Sequence, residues 1–240
     1  MRYAIFGDIH ANLEALEVVL ADARAHGVAE FVCLGDVVGY NANPRECLQL
    51  VRDLGCPVVK GNHDEEACNE RQIDGLNPYA EEALNWTRNQ LSADDKGWLS
   101  QLRLVRQIRD FTAVHATLDS PGAWGYVMNR FDAMASFAYQ FTPVCFCGHS
   151  HVAGVFVKAD RVFEAEPTSF AIEPAQKYFV NVGSVGQPRD GDWRASYVIY
   201  DPEEKHLVFR RLEYDLATAQ KKIRAAGLPE MLAERLAVGS

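Results

Sequence analysis

The sequence predicts an α/β protein with four layers, in which two mixed β-sheets face each other and helices cover both outer faces. Over the first 60 residues, short apolar runs alternate with helical segments, a rhythm typical of parallel strands joined by crossover helices. From residue 111 onward strand-like runs dominate, and helical periodicity returns only in the tail. Strands from the two halves are therefore expected to form an α/β/β/α sandwich.

The first three predicted strands are expected to end at one edge of a sheet. They lie at Arg2–Phe6, Phe31–Leu34 and Val58–Lys60, and helices at Leu13–Ala25 and Pro44–Leu54 separate them. Because the carboxyl ends of parallel strands share an edge, the loops that follow these strands should meet there.

The middle of the chain, residues 65–106, is predicted to be mainly helical. One helix is expected at Pro78–Leu91. A second is expected at Ala93–Leu102, where Ser92 is a suitable N-cap. A further helix is expected at Arg130–Tyr139.

The remaining apolar runs predict the second sheet. A hairpin is expected where Val155–Lys158 and Arg161–Glu164 flank a two-residue turn. The other strands expected there are Phe111–Val114, Val144–Cys147, Tyr178–Val182, Ser196–Tyr200 and Leu207–Leu212. Helical periodicity in the tail, 216–236, is interrupted at Gly227-Leu228-Pro229 and predicts two helices. Residues 1–240 contain no linker-like sequence, so a single domain is expected.

The composition is that of a globular protein with an acidic balance. The chain has 48% hydrophobic and 24% charged residues and a net charge of −9. Extended nucleic-acid binding requires a basic face and is not expected. Tyr3–Phe6, the apolar run before Gly7-Asp8, is too short for a signal peptide or a membrane span, so a cytoplasmic protein is expected. The six cysteines contain no C-x-x-C pair and are expected to be reduced.

Aspartate, asparagine or histidine follows five of the predicted strands. The series is Gly7-Asp8-Ile9-His10, Gly35-Asp36-Val37-Val38-Gly39, Gly61-Asn62-His63-Asp64, His115 and Gly148-His149-Ser150-His151. One such residue alone is more often a turn stabiliser or a buried hydrogen-bonding group. The repetition at strand ends favours a common site, and it includes five of the seven histidines in the chain.

The candidate ligands of this site are all oxygen or nitrogen donors. They are Asp8, His10, Asp36, Asn62, His115, His149 and His151. Such donors suit Mn, Fe, Zn, Ni or Co better than a cysteine-rich structural zinc site. Seven ligands are too many for one tetrahedral ion, and we interpret Asp36 as a carboxylate shared by two divalent metal ions. Residues i and i+2 of an extended segment point the same way, so Asp8 and His10 should enter one pocket. The same reasoning applies to His149 and His151.

In order and spacing, these motifs resemble those of the calcineurin-like metallophosphoesterase superfamily. The resemblance implies the metallophosphoesterase fold and a dimetal phosphoesterase activity. It implies that one ion takes Asp8, His10, Asp36 and His151, and that the other takes Asp36, Asn62, His115 and His149. The stretch Asn181–Arg189 is similar to the segment that closes the sandwich in small bacterial members, some labelled diadenosine tetraphosphatase-like and others phosphodiesterase-like.

His63 is interpreted as a catalytic residue and not as a ligand. It lies between Asn62 and Asp64, and an imidazole beside the metals can protonate a departing alkoxide. Asp64 is predicted to act with it by orienting the ring.

Substrate contacts are predicted at Asn12, Tyr40 and Arg189, each with a structural alternative. Asn12 is also a suitable helix N-cap, and Tyr40 is also explained as a partly buried aromatic residue. Arg189 suits bidentate binding of a phosphate, or a salt bridge to Asp190 or Asp192. The loop 116–129 contains glycines and aromatic residues and is a candidate for stacking on a base or selecting substrate.

The predicted reaction is hydrolysis of a phosphodiester or small nucleotide ester by a metal-activated hydroxide, with His63 as the general acid. The same motifs serve phosphomonoesterases and protein phosphatases, although no additional docking region for a protein substrate is visible. A non-catalytic scaffold of the same fold is the second alternative, and such scaffolds tend to lose the acid and the ligands. The expected partner is a small phosphoester or nucleotide, with no membrane involved. The native metals and the oligomeric state do not follow from the sequence.

Overall fold

The computed structural model describes residues 1–69 and 77–240, which form two mixed sheets with helices on their outer faces. The part of the predicted helical region at 70–76 lies outside the described residues. The strands are β1 (Tyr3–Phe6), β2 (Glu30–Cys33), β3 (Val105–Ile108), β4 (Phe111–Val114), β5 (Val144–Cys147), β6 (Gly154–Lys158), β7 (Val162–Ala165), β8 (Ser169–Ala171), β9 (Lys177–Asn181), β10 (Ala195–Asp201) and β11 (His206–Leu212). The helices are α1 (Leu13–Ala25), α2 (Pro44–Asp53), α3 (Asn62–Cys68), α4 (Pro78–Gln90), α5 (Ala93–Ser100), α6 (Arg130–Tyr139), α7 (Leu216–Ala225) and α8 (Glu230–Leu236).

Each sheet contains parallel strands that end at a common edge. The first sheet has the strand order β2-β1-β10-β11-β8, with β1 parallel to β2 and antiparallel to β10. The second has the order β3-β4-β5-β9-β6-β7, with β4, β5 and β9 parallel. The loops that carry polar residues after β1, β2, β4 and β5 therefore begin at the carboxyl edges of the two sheets.

Three apolar clusters fill the spaces between the four layers. Ile5 and Phe146 are buried between the two sheets. Leu16 of α1 and Tyr197 of β10 belong to the cluster that joins the first sheet to its helices. Phe137 of α6 lies in the cluster on the outer face of the second sheet. The α/β/β/α architecture predicted from the sequence is confirmed.

Two strands predicted for the second sheet belong to the first, so this part of the prediction is wrong. β10 pairs with β1, where Ala4 lies opposite Ile199, and β11 pairs with β10. Six of the seven residues of β10 are buried, a pattern that suits the interior of either sheet. The local sequence therefore marks a buried strand without identifying its neighbours.

The predicted strand at Val58–Lys60 is also wrong, because only two isolated bridges form there. Val58 pairs with Cys33 and Val59 pairs with Arg103, after which the chain enters α3. Strands β3 and β8 are absent from the sequence prediction, and the region 65–106 predicted to be mainly helical covers only part of helix α3. The two strands are short and mostly half-buried or exposed, so they carry little apolar periodicity.

The tail forms the two predicted helices, α7 and α8. Between them the chain turns at Gly227, whose φ of 71° is a conformation that glycine adopts without strain. Ile223 and Leu232 bury their side chains in the cluster that joins the first sheet to its helices. The tail is therefore part of the helical layer. A bilayer span requires a long apolar helix, and the described part of the chain contains none.

Two glycines provide a matched test of this packing. A Cβ on Gly186 would lie 1.8 Å from the carbonyl oxygen of Ile9, whereas one on Gly97, inside α5, would meet nothing within 4 Å. Gly186→Ala is expected to lower the free energy of unfolding by about 1–3 kcal/mol or more through overpacking. Gly97→Ala is expected to raise it by about 0.5–1 kcal/mol through a better helix propensity. Urea unfolding measures both, and equal effects would contradict the close approach at Gly186.

Candidate metal centre

The loops at the carboxyl edges of the sheets bring all seven predicted ligands together in the interior. Asp8 and His10 follow β1, Asp36 follows β2, Asn62 begins α3, His115 follows β4, and His149 and His151 follow β5. None of these residues is more than 9% exposed. Buried aspartate and histidine side chains in such number require partners, since burying a charge or a polar group without one is unfavourable.

The buried carboxylates and imidazoles form two groups that share one member. One group contains Asp8, His10, Asp36 and His151, the other contains Asp36, His115 and His149, and the donor atoms within each lie within 4.8 Å of one another. Oδ2 of Asp36 lies 3.5 Å from Nε2 of His10 and 3.4 Å from Nε2 of His115. Asp36 is therefore positioned to contact a cation in either group.

Backbone carbonyls fix the ring orientation of the four histidines in these groups. Nδ1 of His10 lies 3.2 Å from the carbonyl oxygen of Val38. Nδ1 of His115 lies 2.8 Å from that of Leu34, and Nδ1 of His151 lies 2.6 Å from that of Gln187. His149 is reversed, with Nε2 at 2.8 Å from the carbonyl oxygen of Trp124. The nitrogen that faces a carbonyl carries the proton, so in the neutral ring the other nitrogen directs a lone pair into the site.

These nitrogens meet in pairs, in an arrangement that fits bound cations. Nε2 of His10 lies 3.0 Å from Nε2 of His151, and Nδ1 of His149 lies 3.2 Å from Nε2 of His115. Two lone pairs at this separation repel each other unless a proton or a cation is shared between them. Oδ1 of Asp8 is buried and has no hydrogen-bond partner among the described residues. The donor set is thus suited to hard or borderline divalent cations.

The backbone at the site departs from the extended geometry that the sequence analysis assumed. Five ligands have φ angles in the left-handed region: Asp8 (49°), His10 (48°), Asp36 (50°), His149 (69°) and His151 (60°). The expectation that each pair of ligands points inward along an extended segment is therefore wrong, although the pairs do converge. Left-handed conformations cost residues with a Cβ roughly 1 kcal/mol or more each, and such strain concentrates at functional sites.

The motif Gly61-Asn62-His63-Asp64 forms the start of helix α3 and not a loop. Asn62 is the first helical residue, and its Oδ1 lies 3.3 Å from Nε2 of His115. The helical turn thus brings the amide oxygen to the group that contains His115 and His149, next to the ligands with which the sequence associates it.

Asp64 does not orient His63, which corrects the role predicted for it. Oδ2 of Asp64 accepts hydrogen bonds from the backbone amides of Asp36 at 2.8 Å and Gly61 at 3.1 Å. Oδ1 accepts one from the amide of Val37 at 2.9 Å. The carboxylate is therefore occupied in holding the loop of Asp36 against the start of α3.

Packing holds the imidazole of His63 in place. Its ring centroid lies 4.7 Å from that of His10 and 4.5 Å from that of Tyr40. Nδ1 is buried without a hydrogen-bond partner among the described residues, and a Cβ on Gly39 would come within 2.5 Å of it. The missing side chain of Gly39 thus makes room for the ring beside the ligand groups.

Burial keeps most of the histidines neutral. It lowers the pKa of His10 and of His151 well below the usual value. It also lowers the pKa of His149 to about 3 and the pKa of His63 to about 4. Burial also lowers the pKa of His115, but Asp36 beside it more than compensates and raises that pKa to about 9.

The pKa values of the three buried aspartates at the site shift in different directions. Burial acts to raise the pKa of Asp36, but His115 and His63 hold it well below the usual value, so this carboxylate is ionised. Burial raises the pKa of Asp8 and that of Asp64 to about 7. Without a bound cation, the site therefore retains protons on His115 and Asp8 that a divalent cation would have to displace.

A cavity of about 220 Å³ opens onto the two groups. Its lining residues are Asp36, Tyr40, Asn62, His63, Asn77, Tyr126, His149, His151, Arg189 and Arg235. Of the predicted substrate contacts, Tyr40 and Arg189 lie here, and Nη2 of Arg189 donates to the hydroxyl of Tyr40 at 3.2 Å. The alternative salt bridge of Arg189 does not form, because Asp190 pairs with Arg211 and Asp192 pairs with Arg194.

Asn12 is the N-cap of α1, the structural alternative given for it in the sequence analysis. It is 1% exposed, and its Oδ1 accepts from the amide of Ala15 as the N-cap of α1. Its Nδ2 donates to the carbonyl oxygen of Gly186 at 3.0 Å. Both polar groups of the side chain are therefore used in joining α1 to the loop after β9.

Two features of the site were beyond the sequence analysis. The loop 116–129 supplies the carbonyl of Trp124 to His149, and the ring of Tyr126 stacks on His149 with centroids 4.3 Å apart. The aromatic content of this loop indicated a role near the site without identifying these contacts. Arg235 of α8 reaches the cavity from the tail, and its only sequence signal is a basic residue in an amphipathic helix.

A four-layer sandwich with aspartate and histidine groups at the carboxyl edges of its sheets is the arrangement of metallophosphoesterases. Residues 1–205 match the sequence model of the calcineurin-like phosphoesterase superfamily domain. The chain therefore belongs to the calcineurin-like phosphoesterase superfamily.

The chain is also similar along its whole length to individual proteins. The chain is 38% identical over 240 residues to an uncharacterised protein of Methanocaldococcus jannaschii, covering 98% of this chain and 97% of the relative. It is also similar to the crystal structure of a metallophosphoesterase from Sphaerobacter thermophilus, at 40% identity and a TM-score of 0.89, covering 100% of this chain and 99% of the other. A hypothetical protein from Pyrococcus horikoshii, at 18% identity, shares the fold with a TM-score of 0.82 over 100% of this chain and 98% of the other.

Metal affinity is expected to rise with pH between about 6 and 8.5. The proton on His115, whose pKa is about 9, must leave before that nitrogen can bind, and below pH 7 a proton on Asp8 must leave as well. Each displaced proton opposes binding, so the apparent affinity for Mn²⁺ should increase by up to roughly tenfold per pH unit per proton. Calorimetric titration of metal-free protein measures this.

The matched variants are His115→Asn and His26→Asn. The first should weaken binding and flatten the pH dependence, whereas the second changes an exposed histidine at the end of α1 and should behave like the wild type. An affinity for Mn²⁺ that is constant from pH 6 to 8.5 in the wild type would contradict the protonation states described here.

Proposed function

We propose that the protein is a metal-dependent phosphoesterase that hydrolyses phosphodiesters or small nucleotide esters. The observation that carries the proposal is the sharing of Asp36 between two ligand groups at the base of a cavity that His63 and Arg189 also line. Membership of the phosphoesterase superfamily supports a hydrolase. The shared carboxylate supports two ions in place of one.

The proposed ligands are the seven that the sequence identified. Asp8, His10, Asp36 and His151 would hold one divalent ion, and Asp36, Asn62, His115 and His149 would hold the other. The nitrogen and oxygen donors suit Mn, Fe, Zn, Ni or Co. When bound, such ions supply charge that polarises a phosphoryl oxygen and makes water a stronger nucleophile at neutral pH.

Arg189 and Tyr40 are proposed to position the phosphoryl group. Nε of Arg189 is buried without a hydrogen-bond partner among the described residues, and the side chain faces the cavity. A guanidinium with a free donor binds a phosphate oxygen through a charge-assisted hydrogen bond. The hydroxyl of Tyr40 accepts from Nη2 of the same arginine and so restricts its orientation.

His63 is proposed to protonate the leaving group. In the absence of substrate its pKa of about 4 makes the ring neutral. An entering phosphate brings negative charge, and negative charge nearby favours the protonated ring. His63 would then hold a proton beside the ester oxygen, where a departing alkoxide needs it.

A small substrate is favoured over a phosphoprotein. The cavity of about 220 Å³ is lined by Tyr40, Tyr126 and the two arginines, and its volume suits a small phosphoester. A phosphomonoester fits the same groups, so the ester class follows from activity measurements. The chain has His63 and all seven predicted ligands, and His63 lines the cavity together with Asp36, Asn62, His149 and His151. This supports a catalyst over a scaffold of the same fold.

His63→Asn tests the acid role through the leaving group. Loss of a general acid should lower kcat by about 10²–10⁴-fold for a dinucleotide, whose alkoxide needs a proton. The loss should be much smaller for bis(p-nitrophenyl) phosphate, because p-nitrophenolate leaves without protonation. Steady-state kinetics with Mn²⁺, together with metal analysis of each variant, measure both effects.

His26→Asn is the control and should retain wild-type rates with both substrates. Equal losses for the two substrates at unchanged metal content would contradict the acid role. Absence of turnover in the wild type with diesters and monoesters alike, at full metal content, would contradict the proposed function itself.

A further inference from the structure

Arg235 reaches the cavity beside the two ligand groups from a part of the chain that lies beyond the superfamily match. Helix α8 lies outside residues 1–205, yet its last turn contributes Arg235 to the cavity that Asp36, His63 and Arg189 line. The aliphatic part of α8 packs through Leu232 into the helical layer of the first sheet. The guanidinium of Arg235 is therefore positioned at the cavity by a helix that is packed against the rest of the protein.

The two arginines of the cavity differ from Arg210 and Arg211, which are also half-buried. Arg210 and Arg211 each pair with an aspartate, Asp22 and Asp190 respectively. Within residues 1–69 and 77–240, no aspartate or glutamate side chain lies within ion-pair distance of Arg189 or Arg235. Burial, and then the charge of Arg189, lower the pKa of Arg235. Like charges held near each other in a cavity attract an anion.

Backbone hydrogen bonds hold the two arginines in a fixed relation. The amide of Gly191 donates to the carbonyl oxygen of Gly239 at 2.9 Å, which joins the loop of Arg189 to the end of the tail. The amide of Gly239 in turn donates to the carbonyl oxygen of Arg235 at 3.1 Å. Nε of Arg235 donates to the oxygen of Ser240. The guanidinium is thus oriented by the chain that follows it, with its two Nη groups remaining for other partners.

The two arginines differ in their contacts with the ligands. The amide of Arg189 donates to the carbonyl oxygen of His151 at 3.1 Å. Its Nη2 donates to the hydroxyl of Tyr40, whose ring centroid lies 4.7 Å from that of His10. Arg235 lines the same cavity, but within residues 1–69 and 77–240 it forms no hydrogen bond with a ligand or with Tyr40. Arg189 is therefore the arginine that contacts the ligand region directly, and Arg235 is the second arginine of the same cavity. A substrate with one phosphate at the ligands would meet Arg189 first and Arg235 with its next group.

We propose that Arg235 binds a second phosphate of the substrate, linked to the phosphate that lies at the metal groups and Arg189. The preferred substrates would then carry at least two linked phosphates, as in esters of pyrophosphate, and not a single phosphodiester. A guanidinium suits this role because its planar fork binds phosphate oxygens in pairs. This inference rests on the proposed function, which places a phosphate of the substrate at the metal groups.

Binding of inorganic anions tests the inference without turnover. Calorimetric titration of Mn²⁺-loaded protein with phosphate and with pyrophosphate, at constant free Mn²⁺, gives the two affinities. Arg235→Gln should weaken pyrophosphate binding by about 10- to 100-fold, the equivalent of one or two charge-assisted hydrogen bonds. The affinity for phosphate, which the ligand groups and Arg189 hold, should fall much less. Arg235→Lys, which keeps the charge but loses the fork, should show an intermediate loss for pyrophosphate.

The matched control is Arg224→Gln, which removes the same charge from α7, where Arg224 pairs with Glu230 at the surface. It should bind both anions as the wild type does. Equal weakening of both anions by Arg235→Gln, no weakening of either, or the same effect from Arg224→Gln would overturn the inference. If circular dichroism shows that Arg235→Gln does not fold, Arg235→Lys is the deciding variant. A ratio of its pyrophosphate affinity to its phosphate affinity equal to that of the wild type would then overturn the inference.

Failure of the proposed function gives a different result. The wild type would then hydrolyse no phosphoester while its preference for pyrophosphate, and the dependence of that preference on Arg235, stayed measurable. Conversely, turnover of bis(p-nitrophenyl) phosphate with no role for Arg235 in pyrophosphate binding would leave the phosphoesterase in place and remove only the second phosphate site.

Discussion

The reciprocal hydrogen bonding of Asp36 and Asp64 is the constraint on which the site depends. Asp64 accepts the backbone amides of Asp36 and Val37, and Oδ1 of Asp36 accepts the amide of His63. Each carboxylate fixes the backbone that carries the other, and hydrogen bonds to charged groups are worth about 1.5–3 kcal/mol each. Oδ2 of Asp36 is left between the two ligand groups. The left-handed φ of 50° at Asp36 persists because these bonds determine it from both sides.

Much of the fold and of the ligand set follows from local signals in the sequence. Helix α1 has the bounds predicted for it, Leu13–Ala25, because Asn12 is a strong cap and apolar residues recur at helical spacing. Strands β4 and β5 also have the predicted bounds. The polar residues after these strands meet because parallel strands end at one edge, a rule that needs no knowledge of the tertiary structure.

The remaining features depend on contacts that the local sequence does not encode. Burial identifies β10 as an interior strand, but its pairing with β1 is decided by the whole sheet. The carbonyl of Trp124, which orients His149, has no side-chain signature. Asp64 adjoins His63 in sequence, yet the helical turn directs its carboxylate to backbone amides. Arg235 enters the site only because the tail packs against the loop of Arg189.

The central claim is that one aspartate is shared by two cations. Anomalous diffraction from crystals of the protein grown with Mn²⁺ tests it most directly. Two peaks about 3.5–4 Å apart are expected, one on each side of Oδ2 of Asp36. His10 and His151 should lie at one peak, and His115 and His149 at the other. A single peak at saturating Mn²⁺, or two peaks of which only one contacts Asp36, would contradict it.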